Sequence, residues 1–206
     1  MSDRMNSKEA LGVSRVPIRP RDALVVVDVQ SDFCPGGRLA VPGGDAVVEP
    51  LRRAIEHFSR RGLPVFYTRD WHPADHCSFV EQGGAWPAHC VADSKGAEFH
   101  PRLPVSPFAV VVSKGTSRDR EAYSGFEGTD LLEELRVRGI SRLVVGGLAA
   151  DFCVKATVLD ALREGFAVVV LKDATRPVDL KPGDGAAAML EMRAAGALFL
   201  ETAAIE

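Results

Sequence analysis

Six short runs rich in β-branched residues alternate with helical patterns along this chain, and this alternation constrains the fold more than any other feature. The first run, residues 23–29 (ALVVVDV), is almost continuously apolar, as expected for a strand buried on both faces of a sheet. The other five runs are residues 64–68, 108–113, 142–146, 167–171 and 197–200. Because parallel strands need long crossover connections, the pattern predicts a buried, mostly parallel sheet.

Helical periodicity is found in four of the intervening segments. These predicted helices are residues 45–61, 129–138, 151–164 and 184–195. In the first, Val48, Leu51 and Ile55 fall on one stripe, and the second opens with Thr129 as a capping residue. Each of the last three ends just before a glycine. We therefore predict a three-layer, doubly wound α/β fold with a six-stranded, mostly parallel sheet in the order 3-2-1-4-5-6 and helices on both faces.

Length and composition set limits on the class of protein. The chain has 206 residues, 46% of them hydrophobic and 26% charged, which suits one domain with a sizeable core. We expect that domain to span residues 21–206, after a polar lead-in at residues 1–20 that is either flexible or packed as an arm. The net charge of −3, with basic and acidic residues interleaved, indicates neither a nucleic-acid nor a membrane partner.

The same sequence gives an expectation for the compartment. There is no apolar run long enough to cross a bilayer, and the first residues lack the apolar core of a secretory signal. The four cysteines show no disulfide-framework spacing, so a reducing, cytoplasmic location is predicted. A homo-oligomer is compatible with the sequence, which does not fix the oligomeric state.

A long segment, residues 70–107, interrupts the strand–helix rhythm. It has almost no apolar periodicity, yet it contains four of the five histidines and both tryptophans. Long loops within compact domains are usually functional, and this one follows a predicted strand end, where open α/β sheets bind ligands. The segment is therefore a candidate site.

Cys153 lies where a nucleophile could be placed. It falls near the start of the third predicted helix, just after a strand and a glycine-containing turn. A helix N-terminus favours a thiolate and lowers a cysteine pKa, and the amides of the turn could hold an oxyanion. The alternative is that Cys153 is a small, buried apolar residue.

Two charged residues lie at predicted strand ends. Asp28 interrupts the apolar first strand, where a carboxylate is unfavourable unless it is paired or used, although it could equally cap the following turn. Lys114 closes the third strand and, taken alone, resembles a lysine that extends to the surface. In the predicted strand order, however, Asp28 and Cys153 meet in one crevice, and Lys114 faces the same rim, where its cation would favour the thiolate.

An acidic residue and three histidines in the long loop form a candidate metal site. They are Asp70, His72, His76 and His89. Asp70 and His72 are two apart and would point the same way on an extended strand end. Such ligands suit Zn²⁺, Fe²⁺ or Mn²⁺. A rival interpretation adds Cys77 and Cys90 as ligands and predicts a closed structural zinc site.

Aromatic residues give a weaker signal. Phe33 and Trp86 could stack on a flat aromatic ring, but aromatic residues are more often part of the core. The glycine-rich fingerprints of nucleotide sites, GxGxxG and GxxxxGK[ST], are absent from the sequence.

Several segments together carry a resemblance to a known family. They are VVDVQSDFCPGGRLAVPGGD, TRDWHPADHCSF, WPAHC, AYSGFEG, GGLAADFCV and VDLKPGDG. With these segments the chain resembles the nicotinamidase branch of the isochorismatase-like cysteine hydrolases from about residue 23 to 197. The resemblance implies hydrolysis of nicotinamide to nicotinate and ammonia through a cysteine thioester, feeding NAD salvage, and activity on pyrazinamide as well. It also implies one divalent metal ion, with zinc expected first and iron or manganese as alternatives.

The resemblance assigns roles to individual residues. It implies a catalytic triad of Asp28, Lys114 and Cys153, with an oxyanion hole formed by the backbone amides of Ala149 and Cys153. It implies metal ligation by Asp70, His72 and His89, with His76 as a further histidine near or on the metal. It places Phe33 and Trp86 on either side of the pyridine ring, Tyr123 beside the pocket, and a cis peptide between Leu148 and Ala149.

The sequence departs from the family pattern at three positions. Ser31 stands where Asn is frequent, Ala150 where Thr is common, and Phe152 where Tyr or His is usual. These differences concern the details of the pocket, because none of them removes a triad residue or a metal ligand.

Three other functions compete with this one. The nearest is another amidase of the same superfamily, acting on a carbamoyl group or a different amide. An isochorismatase, which cleaves a vinyl ether, would not need Cys153. A non-enzymatic metal-binding or scaffold protein on the same fold is the third. The Asp/His cluster favours the nicotinamidase, because a pyridine nitrogen gives a metal something to bind.

Overall fold

The sheet has the predicted order and direction. The computed structural model describes residues 16–107 and 109–205. The strands are β1 Asp22–Val27, β2 Val65–Asp70, β3 Val110–Lys114, β4 Arg142–Leu148, β5 Ala167–Arg176 and β6 Leu198–Leu200. They form one six-stranded sheet in the order β3-β2-β1-β4-β5-β6, and every pairing between these strands is parallel. The predicted fold is confirmed.

Within the described part of the chain, four α-helices connect the strands. They are α1 Val48–Arg60, α2 Leu131–Val137, α3 Cys153–Arg163 and α4 Asp184–Ala194. A short 3-10 turn, Gly44–Val47, precedes α1, and Pro50 is tolerated because the N–H groups of a first helical turn have no partner within the helix. The N-cap of α2 is Asp130, one residue after the predicted capping residue Thr129, whose hydroxyl accepts the N–H of Leu131 at 3.3 Å.

The core lies on both faces of the sheet. Leu24 and Val26 of β1 pack on one side with α1, whose Leu51 and Phe58 are fully buried there. Alternate residues of the same strand, such as Val25, pack on the other side with residues of α2, α3 and α4. This division gives the three layers expected from a continuously apolar strand.

Two strand boundaries differ from the prediction. The first strand ends at Val27 rather than at residue 29, because Asp28 adopts a left-handed backbone conformation with φ +48°. The fifth continues past residue 171 to Arg176, because its pairing with β4 resumes after a register shift between Val145 and Gly147. Both differences place polar groups at the carboxyl edge of the sheet.

Some of the residues for which the sequence made predictions lie outside the described part of the chain. Residues 1–15 of the predicted lead-in and Phe108, the predicted start of the third strand, lie outside the described residues. Val16 forms a parallel bridge with Ile205, so the first and the last described residues are paired with each other. Among the helices of the described residues, none combines the length and apolarity needed to cross a membrane.

The central position of β4 predicts a large penalty for truncating its core side chains. Leu143 is fully buried, so Leu143→Ala should lower the free energy of unfolding by about 2–5 kcal/mol. Leu190 in α4 is 68% exposed, and Leu190→Ala should change it by less than about 0.5 kcal/mol. Urea denaturation of both variants measures the difference, and equal losses would contradict this assignment of the core.

Candidate active site

The thiol of Cys153 lies at the first residue of α3, directly beyond the end of β4. A turn that begins with a cis peptide between Leu148 and Ala149 joins the strand to the helix, as the resemblance predicts. Asp151 does not begin the helix; its carboxylate accepts the N–H groups of Val178 and Asp179, both at 2.9 Å. This local geometry presents the sulfur at the carboxyl edge of the sheet, among side chains from β1, β2 and β3.

A buried ammonium connects those side chains. Lys114 Nζ lies 2.9 Å from Asp28 Oδ2, forms a short ion pair with Asp70 Oδ1, and lies 3.4 Å from Cys153 Sγ. The Ala122 carbonyl accepts a further hydrogen bond from Nζ at 3.2 Å. The four side chains are at most 6% exposed. The structure therefore brings together the three predicted triad residues, and Lys114 is not a surface lysine.

Only one of the two oxygens of the Asp28 carboxylate accepts an aligned hydrogen bond. The Thr68 hydroxyl donates a hydrogen bond of 2.6 Å to Oδ1, and the Thr68 carbonyl accepts the Asp28 N–H at 3.2 Å. The other oxygen, Oδ2, is buried and has no aligned hydrogen bond despite its ion pair with Lys114. An oxygen of this carboxylate lies within 4.8 Å of the Cys153 sulfur. A free oxygen beside a thiol can accept the thiol proton.

The thiol is not activated in the way that its position in the sequence suggests. Burial raises the pKa of Cys153 well above the ordinary value, although Lys114 opposes that shift. The expectation of a lowered pKa is therefore wrong, because desolvation outweighs the cation and the helix N-terminus. Burial also raises the pKa of Asp28. Burial alone would lower the pKa of Lys114, but Asp28 and Asp70 raise it above the ordinary value. A protonated thiol needs a base, which increases the importance of Asp28.

Asp70, His72 and His89 form a group that suits a metal ion. Their ligand atoms lie within 4.8 Å of one another, and all three residues are buried. Nδ1 of His72 lies 2.9 Å from the Gly115 carbonyl, and Nδ1 of His89 lies 2.8 Å from the Pro87 carbonyl. A carbonyl can only accept, so each Nδ1 carries the proton and each Nε2 is free to bind a metal. Burial lowers the pKa of His89, which favours the neutral ring that a metal requires, whereas burial of His72 is outweighed by its contact with Asp70, which raises the pKa of that ring.

Both ring nitrogens of His76 already have partners, so neither is free to bind a metal in this arrangement. Its Nδ1 lies 2.7 Å from the Ser78 hydroxyl, and its Nε2 lies 3.1 Å from the Arg120 carbonyl. The ring stacks on His72 with centroids 4.1 Å apart. Within the described residues, His76 is thus not part of the ligand group. It supports the ring of His72.

The rival cysteine–histidine zinc site is not formed. Neither Cys77 nor Cys90 belongs to a ligand group among residues 16–107 and 109–205. Cys90 is buried, and its sulfur lies 4.0 Å from the Gly96 carbonyl. The burial of Cys90 raises its pKa well above the ordinary value, so this side chain is a protonated core residue.

The predicted ring-binding residues line one cavity together with Cys153. The wall of this cavity includes Phe33, Trp86, Tyr123, Phe152, Ala149 and Cys153, together with Asp70, His72 and His89. The Trp86 indole donates to the Tyr123 hydroxyl at 2.9 Å, and Phe152 contacts the Trp86 ring edge-on at 5.2 Å. The sulfur and the histidines therefore open onto the same space.

Sequence reasoning missed several residues that hold the site together. Thr68 positions Asp28, and Asp32 accepts the N–H of Cys90, next to His89, at 2.8 Å. The Gln30 side chain accepts the Asp70 N–H and donates to the Asp70 carbonyl, both at 2.8 Å. Gln30 and Asp32 lie in the same segment as Asp28, which was the available signal. Thr68 gave none, because threonine is ordinary in a strand.

A thiol, a buried carboxylate and an ammonium at the carboxyl edge of a doubly wound sheet define a class of cysteine-dependent hydrolase. The model of the isochorismatase domain matches residues 22–204. The chain belongs to the isochorismatase family.

Proteins of known activity are similar to nearly the whole chain. The nicotinamidase of Escherichia coli (strain K12) is 44% identical over 199 residues, which cover 86% of this chain and 93% of the relative. The pyrazinamidase of Pyrococcus horikoshii, solved in complex with zinc, matches with a TM-score of 0.85 and 47% identity, covering 88% of this chain and 99% of the other. PnC1 from L. infantum, solved in complex with nicotinate, matches with a TM-score of 0.87 and 36% identity, covering 93% and 98%.

The buried charge cluster predicts a specific stability effect. In metal-free protein, Lys114→Met leaves Asp28 and Asp70 uncompensated and should lower the free energy of unfolding by about 3–5 kcal/mol. Adding Asp28→Asn should recover part of that loss, because it removes one of the stranded charges. Chemical denaturation at neutral pH measures both effects.

A surface lysine provides the matched control. Lys172 pairs with Glu201 at 2.8 Å, but both side chains are about half exposed. Lys172→Met should therefore lower the free energy of unfolding by less than about 1 kcal/mol. Equal losses for Lys114→Met and Lys172→Met would contradict the importance of the buried cluster.

Proposed function

We propose that this protein is a nicotinamidase, an amidohydrolase that converts nicotinamide to nicotinate and ammonia and feeds NAD salvage. One observation carries the proposal: Cys153 Sγ, 3.4 Å from the Lys114 ammonium, shares its cavity with Asp70, His72 and His89. A cysteine hydrolase needs the thiol and the ammonium. A ligand that binds a metal through a ring nitrogen needs the group formed by Asp70, His72 and His89. The names of the similar proteins, a nicotinamidase and a pyrazinamidase, support the same reaction.

Acylation begins with the carboxamide carbon against Cys153. Asp28 Oδ2 takes the thiol proton as the sulfur attacks, so a C–S bond forms and the carbonyl π electrons move onto oxygen. The Asp28 carboxyl then gives that proton to the amide nitrogen, the C–N bond breaks, and ammonia leaves. Lys114 keeps its positive charge throughout and balances the sulfur and the carboxylate.

Backbone amides can hold the tetrahedral oxyanion. Cys153 is the first residue of α3, and the N–H groups of a first helical turn have no acceptor within the helix. Ala149 lines the same cavity. We assign these two N–H groups to the oxyanion hole, an arrangement typically worth about 100- to 1000-fold in rate.

Deacylation reverses the proton movements. Asp28, again a carboxylate, takes a proton from water as its oxygen attacks the thioester carbon. The C–S bond breaks, the sulfur recovers the proton from Asp28, and the product leaves as nicotinic acid, which ionises to nicotinate by giving its carboxyl proton to solvent. The site returns to its starting protonation.

Asp70, His72 and His89 would hold one divalent metal ion. The fit rests on their free Nε2 atoms and on the carbonyls that fix both rings. Zinc is the first expectation, because the similar pyrazinamidase was solved with zinc, and iron or manganese suit the same ligands. When bound, such an ion supplies a Lewis-acid contact that orients the pyridine ring.

Phe33, Trp86 and Tyr123 are proposed to form the walls around the ring. All three line the cavity, and the Trp86–Tyr123 hydrogen bond fixes the position of two of them. One of the two ring nitrogens of pyrazinamide has the same position relative to the carboxamide as the ring nitrogen of nicotinamide. We therefore propose pyrazinamide as a second substrate. All four cysteines are free, which supports the proposed cytoplasmic location.

Replacing the nucleophile tests the proposed reaction. Cys153→Ala should lower ammonia release from nicotinamide by about 10⁴-fold or more, because no thioester can form. Binding of nicotinamide, measured by calorimetry, should persist. Cys34→Ala is the matched control, since Cys34 is also buried but lies outside the cavity lining.

The same assay separates the competing functions. Near-wild-type turnover in Cys153→Ala would eliminate the proposed nucleophile. If the wild type releases ammonia from a carbamoyl compound but none from nicotinamide, it is another amidase of the family.

Removing the metal tests the orienting role. Exhaustive chelation should weaken nicotinamide binding, and added zinc should restore it. His89→Ala should lower the metal content per chain, whereas His100→Ala, outside the ligand group, should not. Metal analysis and calorimetry on the same samples give both readouts; unchanged binding by metal-free protein would eliminate this role.

A further inference from the structure

The cavity carries a carboxylate that the reaction above does not use. Glu121 lines it, beside Ala122, Tyr123 and Cys153. The side chain is half-buried, whereas Asp70, the other carboxylate of the lining, is buried and paired with Lys114. Among the described residues of the lining, there is no lysine or arginine to neutralise Glu121.

The position of this carboxylate is fixed relative to the catalytic centre. Glu121 Oε1 accepts the N–H of Ala122 at 3.0 Å. The carbonyl of the same Ala122 accepts the hydrogen bond from Lys114 Nζ at 3.2 Å, and Nζ lies 3.4 Å from Cys153 Sγ. Ala122 thus connects the Glu121 carboxylate, through its N–H, with the Lys114 ammonium, through its carbonyl.

The proposed reaction changes the charge of the ligand in this cavity. The amide enters neutral, whereas the product is a carboxylic acid that is ionised at neutral pH. A fixed negative charge on the cavity wall raises the free energy of a bound anion and leaves a neutral amide almost unaffected. Lys114 does not offset that repulsion, because its ammonium is already paired with Asp28 and Asp70.

We propose that Glu121 is a specificity-determining residue, whose negative charge discriminates against the carboxylate product and so limits product inhibition. The inference rests on the proposed function and extends it from the reacting atoms to the release of product. Glu121 takes no part in bond making, and its effect is electrostatic repulsion across the cavity.

Glu121→Gln tests the charge and keeps the shape. A glutamine can still accept the Ala122 N–H, so a purely structural role for the side chain would be preserved. Removing the charge should lower the inhibition constant of nicotinate about two- to fivefold, the range expected for a half-exposed charge. The KM for nicotinamide should change by less than about 1.5-fold.

Two further variants separate this effect from general changes in charge. Glu121→Asp keeps the charge and should keep the wild-type inhibition constant. Glu133→Gln removes an exposed carboxylate from α2, outside the cavity lining, and should leave both constants unchanged. The difference between wild type and Glu121→Gln should also shrink at high salt, because ions screen the repulsion.

Direct binding provides a readout without turnover. In metal-loaded Cys153→Ala protein, adding Glu121→Gln should tighten nicotinate binding by the same factor in calorimetry. An unchanged nicotinate constant, or a KM that falls in parallel with it, would overturn the inference while leaving the proposed function intact. If the wild type releases no ammonia from nicotinamide, the proposed function fails, and this inference fails with it.

Discussion

The buried ammonium of Lys114 is the interaction on which the rest of the site depends. Each unpaired charge in a protein interior costs several kcal/mol of desolvation, so Lys114, Asp28 and Asp70 must be brought together by the fold. Asp70 and Lys114 are register partners on neighbouring parallel strands, and Asp28 follows β1 on the other side of β2. The strand order β3-β2-β1-β4 therefore assembles three charges and, through α3, the thiol at one edge of the sheet.

Asp70 joins the two halves of the site. Its Oδ1 pairs with Lys114, while its Oδ2 lies 3.7 Å from Nε2 of His72 in the ligand group. One carboxylate therefore serves both the charge balance around the nucleophile and the candidate metal centre. Gln30 fixes both backbone polar groups of Asp70, which keeps this shared side chain in place. Asp70 thus links the charge cluster around Cys153 to the candidate metal centre.

The sequence correctly predicted the features of the fold that depend on the local residue pattern and on the sheet topology. Apolar runs gave the strands, and the strand order brought Asp28, Lys114 and Cys153 to one edge although they are far apart in the chain. Sequence reasoning was wrong where burial in the folded protein determines the properties of a side chain. The helix N-terminus suggested a lowered pKa for Cys153, but desolvation raises it. Spacing alone also does not show how His76 differs from His89: in the folded loop both ring nitrogens of His76 contact other groups, while the prediction that it lies near the metal stays a prediction.

A protonated resting thiol suits the charge balance of this cavity. Moving a proton from Cys153 to Asp28 creates a thiolate and neutralises a carboxylate, so the net charge of the buried group is unchanged. The proton leaves with ammonia, which departs neutral, and water supplies its replacement during deacylation. Lys114 therefore faces the same total charge in the free enzyme and in the acyl-enzyme, so acylation leaves no additional charge buried. The first uncompensated charge appears on the ionised product, and Glu121 on the cavity wall opposes its retention.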